Sequence, residues 1–345
     1  MKNGELVEQF TYTDSENSNH EIEIRQFLNM KILSSNTYFD KIEEIAKQNN
    51  CHAIKIKTNA IEKKDENKIY ELLTSKGFFL KPDMLNNIQS TKDIASTKNE
   101  FLEQIKKEKR KRVKKLSKEV EIVFHPQLFK EDFNKWLPLY EEMMQSKKMG
   151  RIIADEKWYD SRNQDQNKTI IGMYAYEKES KNLLGATMLV YTTEDKDNTT
   201  LISAFKASKS EWVKKGINDL FAFHFLLKAK ELNCKNIKSG SDTNLYGHHL
   251  STGLYYFKRE WGFLAIPSEV NKMKYIKIID NSIFDDIYFF ISTTNPIDRY
   301  NKENLRLDVF IKNGITDEKK DEYLKKTNKH PAYKIVIHNC SDNQQ

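Results

Sequence analysis

Three stretches of the chain carry residue types able to do chemistry. In YYFKREWGF (255–263), Lys258, Arg259 and Glu260 are threaded among five aromatic side chains. Read with the period of a strand, Tyr255, Phe257, Arg259, Trp261 and Phe263 share one face and Lys258 is an ordinary solvated charge. Read with the period of a helix, Leu254, Phe257, Lys258 and Trp261 form one stripe, and Lys258 points at the core or a cleft. Spacing alone leaves both open. The second stretch, KSEWVKKG (209–216), reads as a loop from a strand into a buried helix. A helix N-terminus offers free N–H groups and a positive dipole end, so Lys214, Lys215 and Gly216 there suit a phosphate. They suit a plain connection with surface lysines equally well. The third is Asp242 in SGSDTN, just past a strand end, where a carboxylate serves either chemistry or a turn.

Other chemistries find little support. His224 lies in an apolar helix, where a hydrogen-bonded core histidine is the ordinary reading. His248 and His249 are adjacent and cannot readily point at one ion, so no metal site is expected. Cys51, Cys234 and Cys340 are far apart and lack any Cys-x-x-Cys pairing, which argues against a disulfide framework or structural zinc. No Walker motif, G-x-G-x-x-G or nucleophile-elbow serine occurs.

The elements that must position these residues follow from periodicity. Residues 38–48 have helical spacing, 53–56 alternate as a strand, and 68–76 form a second helix stopped by Gly77. Thr97 and Glu100 form a capping box that opens a longer helix, with Phe101, Leu102, Ile105, Val113 and Leu116 as its apolar stripe. Val120, Ile122 and Phe124 alternate as a strand, and 129–145 read as a helix that Pro138 should kink. Strands follow at 169–177, 183–191 and 200–208, the first two joined by a short polar turn that argues for an antiparallel hairpin. Residues 217–232 are apolar on nearly all sides and so a buried helix, and 236–239 form a short strand. Beyond Asn271, MKYIKII, IYFFIST, LRLDVFI and YKIVIH read as strands around a charged helix at 317–326.

The chain has 345 residues, 38% hydrophobic and 31% charged, enough for a packed core in one large or two medium domains. No apolar run approaches the roughly 18 residues of a membrane span, and MKNGELVEQF has no signal-like apolar region. A soluble, cytoplasmic protein of a reducing compartment is expected. The net charge of +7 is concentrated. KKEKRKRVKKLSK (106–118) holds nine Lys/Arg against one Glu, an excess of +8 that leaves 7 − 8 = −1 for the rest. Such an element either meets phosphates of nucleic acid or cofactor, or is a solvated helix face.

The order of strand hairpin, Lys-Lys-Gly loop, buried helix, short strand, Gly-Ser loop and GLYYFKREWGF resembles the Fem-like branch of the GNAT acyltransferase superfamily. The family's Phe-Lys-x-x-aromatic-Gly signature matches Phe257, Lys258, Trp261 and Gly262. The Arg/Lys-rich segment before the strand at 120 is similar to the family's link into its second domain. The helix-Gly-Phe-Phe pattern ending at Phe79 is similar to the close of its first. The family's pyrophosphate loop corresponds here only to Lys214, Lys215, Gly216, Ile217 and Asn218, the first half looks short of opening strands, and the tail after about Asp280 lies outside the resemblance.

The resemblance implies an α+β fold of tandem GNAT-like units with mixed, largely antiparallel sheets, the first unit short or degenerate. The implied division is a polar tail (1–20), a first unit (21–96), a basic linking helix (97–119), a transferase domain (120–280) and a C-terminal extension of strands and one helix (281–345). It tips YYFKREWGF to a helix, as does the Ser251-Thr252-Gly253 start, with Arg259 and Glu260 then a solvated pair. The implied activity is transfer of an activated acyl group, from an acyl-CoA-like thioester, to an amine. Lys258 would stabilise the oxyanion or bind a phosphate, Asp242 would orient the amine or take its proton, and Lys214, Lys215, Gly216 and Asn218 would hold the donor's phosphates. The alternatives are Fem-type transfer from aminoacyl-tRNA, with tRNA on the basic helix, and a silent nucleic-acid-binding protein. The acceptor would be a small-molecule or peptide amine, and no metal is implied.

Overall fold

The computed structural model describes residues 10–12, 21–24, 34–57, 66–82, 85–146, 152–193, 198–240, 243–244, 249–250, 252–267, 273–280, 286–298, 301–312, 314–328 and 333–340. In chain order these form β1 (Phe10–Tyr12), β2 (Glu21–Ile24), α1 (Asn36–Gln48), β3 (Ala53–Lys57), α2 (Glu66–Ser75), β4 (Phe79–Pro82) and β5 (Leu85–Ser90). Next come α3 (Lys98–Gln104), α4 (Lys107–Glu119), β6 (Val120–His125), α5 (Lys130–Gln145), α6 (Glu156–Asn163), β7 (Lys168–Glu177), β8 (Leu183–Thr193) and β9 (Thr199–Ser208). After them stand α7 (Ser210–Lys215), α8 (Ile217–Glu231), β10 (Asn236–Lys238), β11 (Thr243–Asn244), β12 (His249–Leu250) and α9 (Thr252–Glu260). The chain closes with β13 (Leu264–Pro267), β14 (Met273–Ile278), β15 (Ile287–Thr293), β16 (Leu305–Lys312), α10 (Asp317–Asn328) and β17 (Lys334–Cys340). The fold is α+β with mixed, largely antiparallel sheets. No described helix is long and apolar enough to cross a membrane.

The chain divides into two compact units that interleave in sequence. One comprises Met1–Leu85, Asp242–Phe257 and Pro267–Gln345, and the other Asn86–Ser241 and Lys258–Ile266. In the first, a sheet of order β1-β2-β3-β14-β4 carries α1 and α2 on one face. Phe39, Ile42 and Ala46 of α1 and Ile69 and Leu73 of α2 close over Ile54, Ile56, Leu80 and Tyr275. Each large apolar side chain buried in this way contributes about 1.5–3 kcal/mol. A second sheet, β11-β12-β15-β16-β17, is built mostly from residues 281–345. Phe79 stacks on Phe290 at 6.5 Å and meets Phe310 edge-on at 5.2 Å, while Tyr255 and Tyr256 pack on Phe289.

The second unit is a seven-stranded sheet of order β13-β5-β10-β9-β8-β7-β6. β6 to β9 run antiparallel, as alternation and short polar turns dictate. β9 and β10 are parallel, joined through α7 and α8 as a strand–helix–strand crossover. On one face α5 and α6 bury Phe133, Trp136, Tyr140 and Tyr159 against Ile170, Tyr174, Met188 and Ala207.

Three local readings of the sequence are corrected. The helix opening at Thr97 does have its capping box, but it is two helices, because Ile105 leaves the helical conformation at φ −78°, ψ 152°. Residues 209–216 are not a loop: α7 occupies Ser210–Lys215, and Gly216 at φ +92° is both its C-cap and the N-cap of α8. Arg259 and Glu260 are not a plain solvated pair, since Arg259 Nη1 donates to the Phe263 carbonyl at 3.0 Å and Glu260 pairs with Lys109 at 3.1 Å.

Candidate functional site

YYFKREWGF is helical to Glu260, and its ending explains the spacing of the signature. Gly262 N–H donates to Arg259 O at 3.0 Å and Phe263 N–H to Lys258 O at 3.0 Å, the paired bonds of a Schellman cap. Gly262 is at φ +85°, a conformation that a Cβ disfavours. Phe263 is buried just beyond the cap, and Trp261 is buried at the cap itself. Lys258 therefore stands on the last full turn, on the buried side of the helix, with 5% of its surface exposed.

Its ammonium reaches the carboxyl end of β10. Lys258 Nζ donates to the carbonyl oxygens of Ser239 at 2.5 Å and Gly240 at 3.2 Å. There the β9–β10 ladder has just ended, its last pair being Ile202 and Lys238. In β9, Phe205 faces Met188 and Ser203 faces Leu189, so Ala204 is the extra residue of a bulge. A Cβ on Gly240 would come 3.2 Å from Ser203 O, so the two backbones stay close beside the bulge. Carboxyl ends of parallel strands flanking a crossover helix are where α/β sheets commonly receive ligands. Past the bulge, Phe205 meets Trp158 edge-on at 4.9 Å and Tyr140 at 5.6 Å, an aromatic wall with Met143 and Met144 packed against the same cluster.

A buried ionic cluster ties this helix end to α4 and α8. Asp219, in the first turn of α8 and 2% exposed, accepts from Lys109 Nζ at 2.9 Å, from Trp261 Nε1 at 2.9 Å and from Arg112 Nη1. Lys109 also pairs with Glu260 and lies over the Trp261 ring at 4.9 Å. Burial works to raise the Asp219 carboxyl, but the Lys109 ammonium, the Trp261 N–H and the Arg112 guanidinium outweigh it and hold the group below its usual range. Sequence reading missed this cluster. Partial signals were present: Lys109 falls at i and i+4 with Val113 on the apolar stripe, and Asp219 is an acid in the first turn of a helix whose next seven residues include only one polar side chain, His224.

The structure places the remaining sequence candidates as follows. Lys214 and Lys215 are exposed at the last turn of α7, with Lys215 Nζ 3.8 Å over the Trp212 ring. Gly216 lies against the stem of Arg112: a Cβ there would stand 2.1 Å from Arg112 Cδ, so the missing side chain makes room for arginine. Asn218 is half-buried in the first turn of α8. An anion at this turn would be met by Lys214, Lys215 and the half-exposed Arg112, a donor set that fits a phosphate. Asp242 lies outside the described residues, as do His248 and the middle of its loop. His224 is in α8 with its ring edge-on to Phe223, and burial, aided by the Lys98 charge, lowers its pKa to about 4. No group of three or more His, Cys, Asp or Glu side chains placed to hold a metal occurs among the described residues.

No protein-family model matches the chain, and no curated protein matches it either. Among solved structures, FemX is similar over 70% of this chain and 76% of its own, at 14% identity and a TM-score of 0.40. L-PGS from Bacillus licheniformis is similar over 77% of this chain and 78% of its own, at 13% identity and a TM-score of 0.39. A tandem GNAT protein from the clavulanic acid biosynthesis pathway covers 77% of each chain at 9% identity and a TM-score of 0.38. At those identities and TM-scores the likeness assigns no activity, which has to be argued from the chain's own residues.

Proposed function

We propose that the protein is a GNAT-like N-acyltransferase that forms an amide at the carboxyl end of β10, with Lys258 as the catalytic cation. The observation that carries this reading is the Lys258 ammonium, buried and fixed on the Ser239 and Gly240 carbonyls beside the β9 bulge. An acyl-CoA-like thioester, when bound, supplies the electrophilic carbonyl. In the transfer an amine nitrogen bonds to that carbon, the bond to sulfur breaks, and the amine proton passes to a base while the thiolate leaves. Lys258 stabilises the developing oxyanion, an effect worth most where water is excluded. Asp242 is assigned the amine proton on sequence alone. Lys214, Lys215, Gly216 and Asn218 hold the donor's phosphates, and the Phe205–Trp158 wall shapes the side from which the amine approaches.

A second reading, Fem-type transfer from aminoacyl-tRNA to a small-molecule or peptide amine, is favoured by α4. Lys107, Lys115 and Lys118 are exposed on it, on the same helix that turns Lys109 and Arg112 inward. The two readings separate when labelled acyl-CoA and labelled aminoacyl-tRNA are offered side by side to a panel of amines. The donor that yields labelled amide decides, and Lys258→Ala should cut kcat about 10²–10³-fold. Transfer from neither donor, with nucleic acid still bound, would leave only a silent nucleic-acid-binding protein.

A further inference from the structure

Lys258 is not held by its own helix alone. Trp261 is the residue on which α9 ends, and its backbone N–H donates to Lys258 O at 3.1 Å. Its side chain has one polar atom, Nε1, committed to Asp219 at 2.9 Å, with Trp261 3% and Asp219 2% exposed. Lys109, 6% exposed, adds a second strap by bridging Asp219 and Glu260. Two ties from α4 and α8 thus fix the turn that carries Lys258. The same carboxylate holds Arg112, whose stem fills the space at Gly216. Asp219 is therefore linked to both parts of the candidate site, the phosphate seat through Arg112 and the ammonium through Trp261.

We infer that Asp219 is a positioning residue for Lys258, acting through the Trp261 indole N–H, with Lys109 bridging it to Glu260. The inference rests on the reading of Lys258 as the catalytic cation, but its test does not. A carboxylate buried merely for packing would lower stability when altered and leave the Lys258 ammonium on Ser239 and Gly240. A positioning carboxylate releases that ammonium. Trp261→Phe keeps an aromatic ring and removes the indole N–H together with its five-membered ring, while Asp219→Asn keeps the shape and removes the charge.

The experiment is brief acylation of the folded full-length protein with an amine-reactive anhydride, read by peptide mass spectrometry. Exposed Lys107 on α4 is the internal reference. In the parent protein Lys258 should label slowly, and both variants should raise its rate relative to Lys107 by about tenfold, as expected when local opening becomes easier by about 1.4 kcal/mol. Unchanged relative labelling in the folded variants would overturn the inference. If Asp219→Asn does not fold, Trp261→Phe decides alone. Labelling needs no substrate, so failure of the transferase reading in the Lys258→Ala assay is a separate result.

Discussion

Lys258 owes its place to residues that follow it in the chain. Gly262 ends the helix just beyond it, and Trp261 at that ending is tied to Asp219. Gly262→Ala puts a Cβ at φ +85° and 2.8 Å from the Gln89 side chain. It should lower stability by about 1–3 kcal/mol in urea unfolding and release Lys258 from its carbonyls. His224 makes a separate prediction. In the folded chain it is held neutral down to a pKa of about 4, while in the unfolded chain it takes up its proton near 6.5. Its contribution is therefore full above pH 6.5 and is lost progressively as pH falls toward 4, by roughly 3 kcal/mol in total. Urea midpoints measured between pH 7.5 and 4.5 should show this slope, and His224→Gln should flatten it. Asp219 adds a loss at lower pH still, since its depressed pKa places that step below the ordinary carboxylate range.

At the scale of elements, the basic stretch divides by direction. Lys109 and Arg112 turn inward to Asp219, Arg110 and Lys114 reach Glu103, and Lys111 pairs with Glu108. Lys109→Ala leaves the buried Asp219 carboxylate with Arg112 but without its buried cation and should cost about 3 kcal/mol, against less than about 1 kcal/mol for Lys111→Ala. Denaturant midpoints of the two variants provide the comparison. Much of this scale was legible in the sequence. The box at Thr97 and Glu100, the alternation of β6 to β9 and the all-round apolar α8 are local patterns, and local patterns survive folding. Two features were not. The break at Ile105 has no Gly or Pro to announce it, and α7 is a short helix of six residues in a segment with no apolar stripe. Of the candidate site, the helix carrying Lys258 was legible through the Ser-Thr-Gly start and the signature it resembles, since spacing alone left a strand equally open. The Asp219 cluster was not, because its partners are more than a hundred residues apart on α4 and α8.

For the whole molecule, charge and chain course matter most. On the aminoacyl-tRNA reading, tRNA affinity falls with salt. Replacing Lys107, Lys115 and Lys118 by Gln should then reduce the slope of log K against log salt by about 1 for each phosphate left without its lysine. Binding titrations at several salt concentrations test this, and an unchanged slope would remove α4 from the interface. The interleaving of the two units has another consequence, for synthesis. β14 lies between β3 and β4 in the first sheet, yet it is made long after both. At ordinary elongation rates of about 5–20 residues per second, roughly ten to forty seconds separate β3 from its neighbour on the ribosome. Through that interval the edges of β3 and β4 that will receive β14 lack it, while the whole of residues 86–241 is made. The nascent chain therefore passes through a stage in which residues 86–241 have all been made and the earlier unit still waits for β14, the strand that joins β3 to β4.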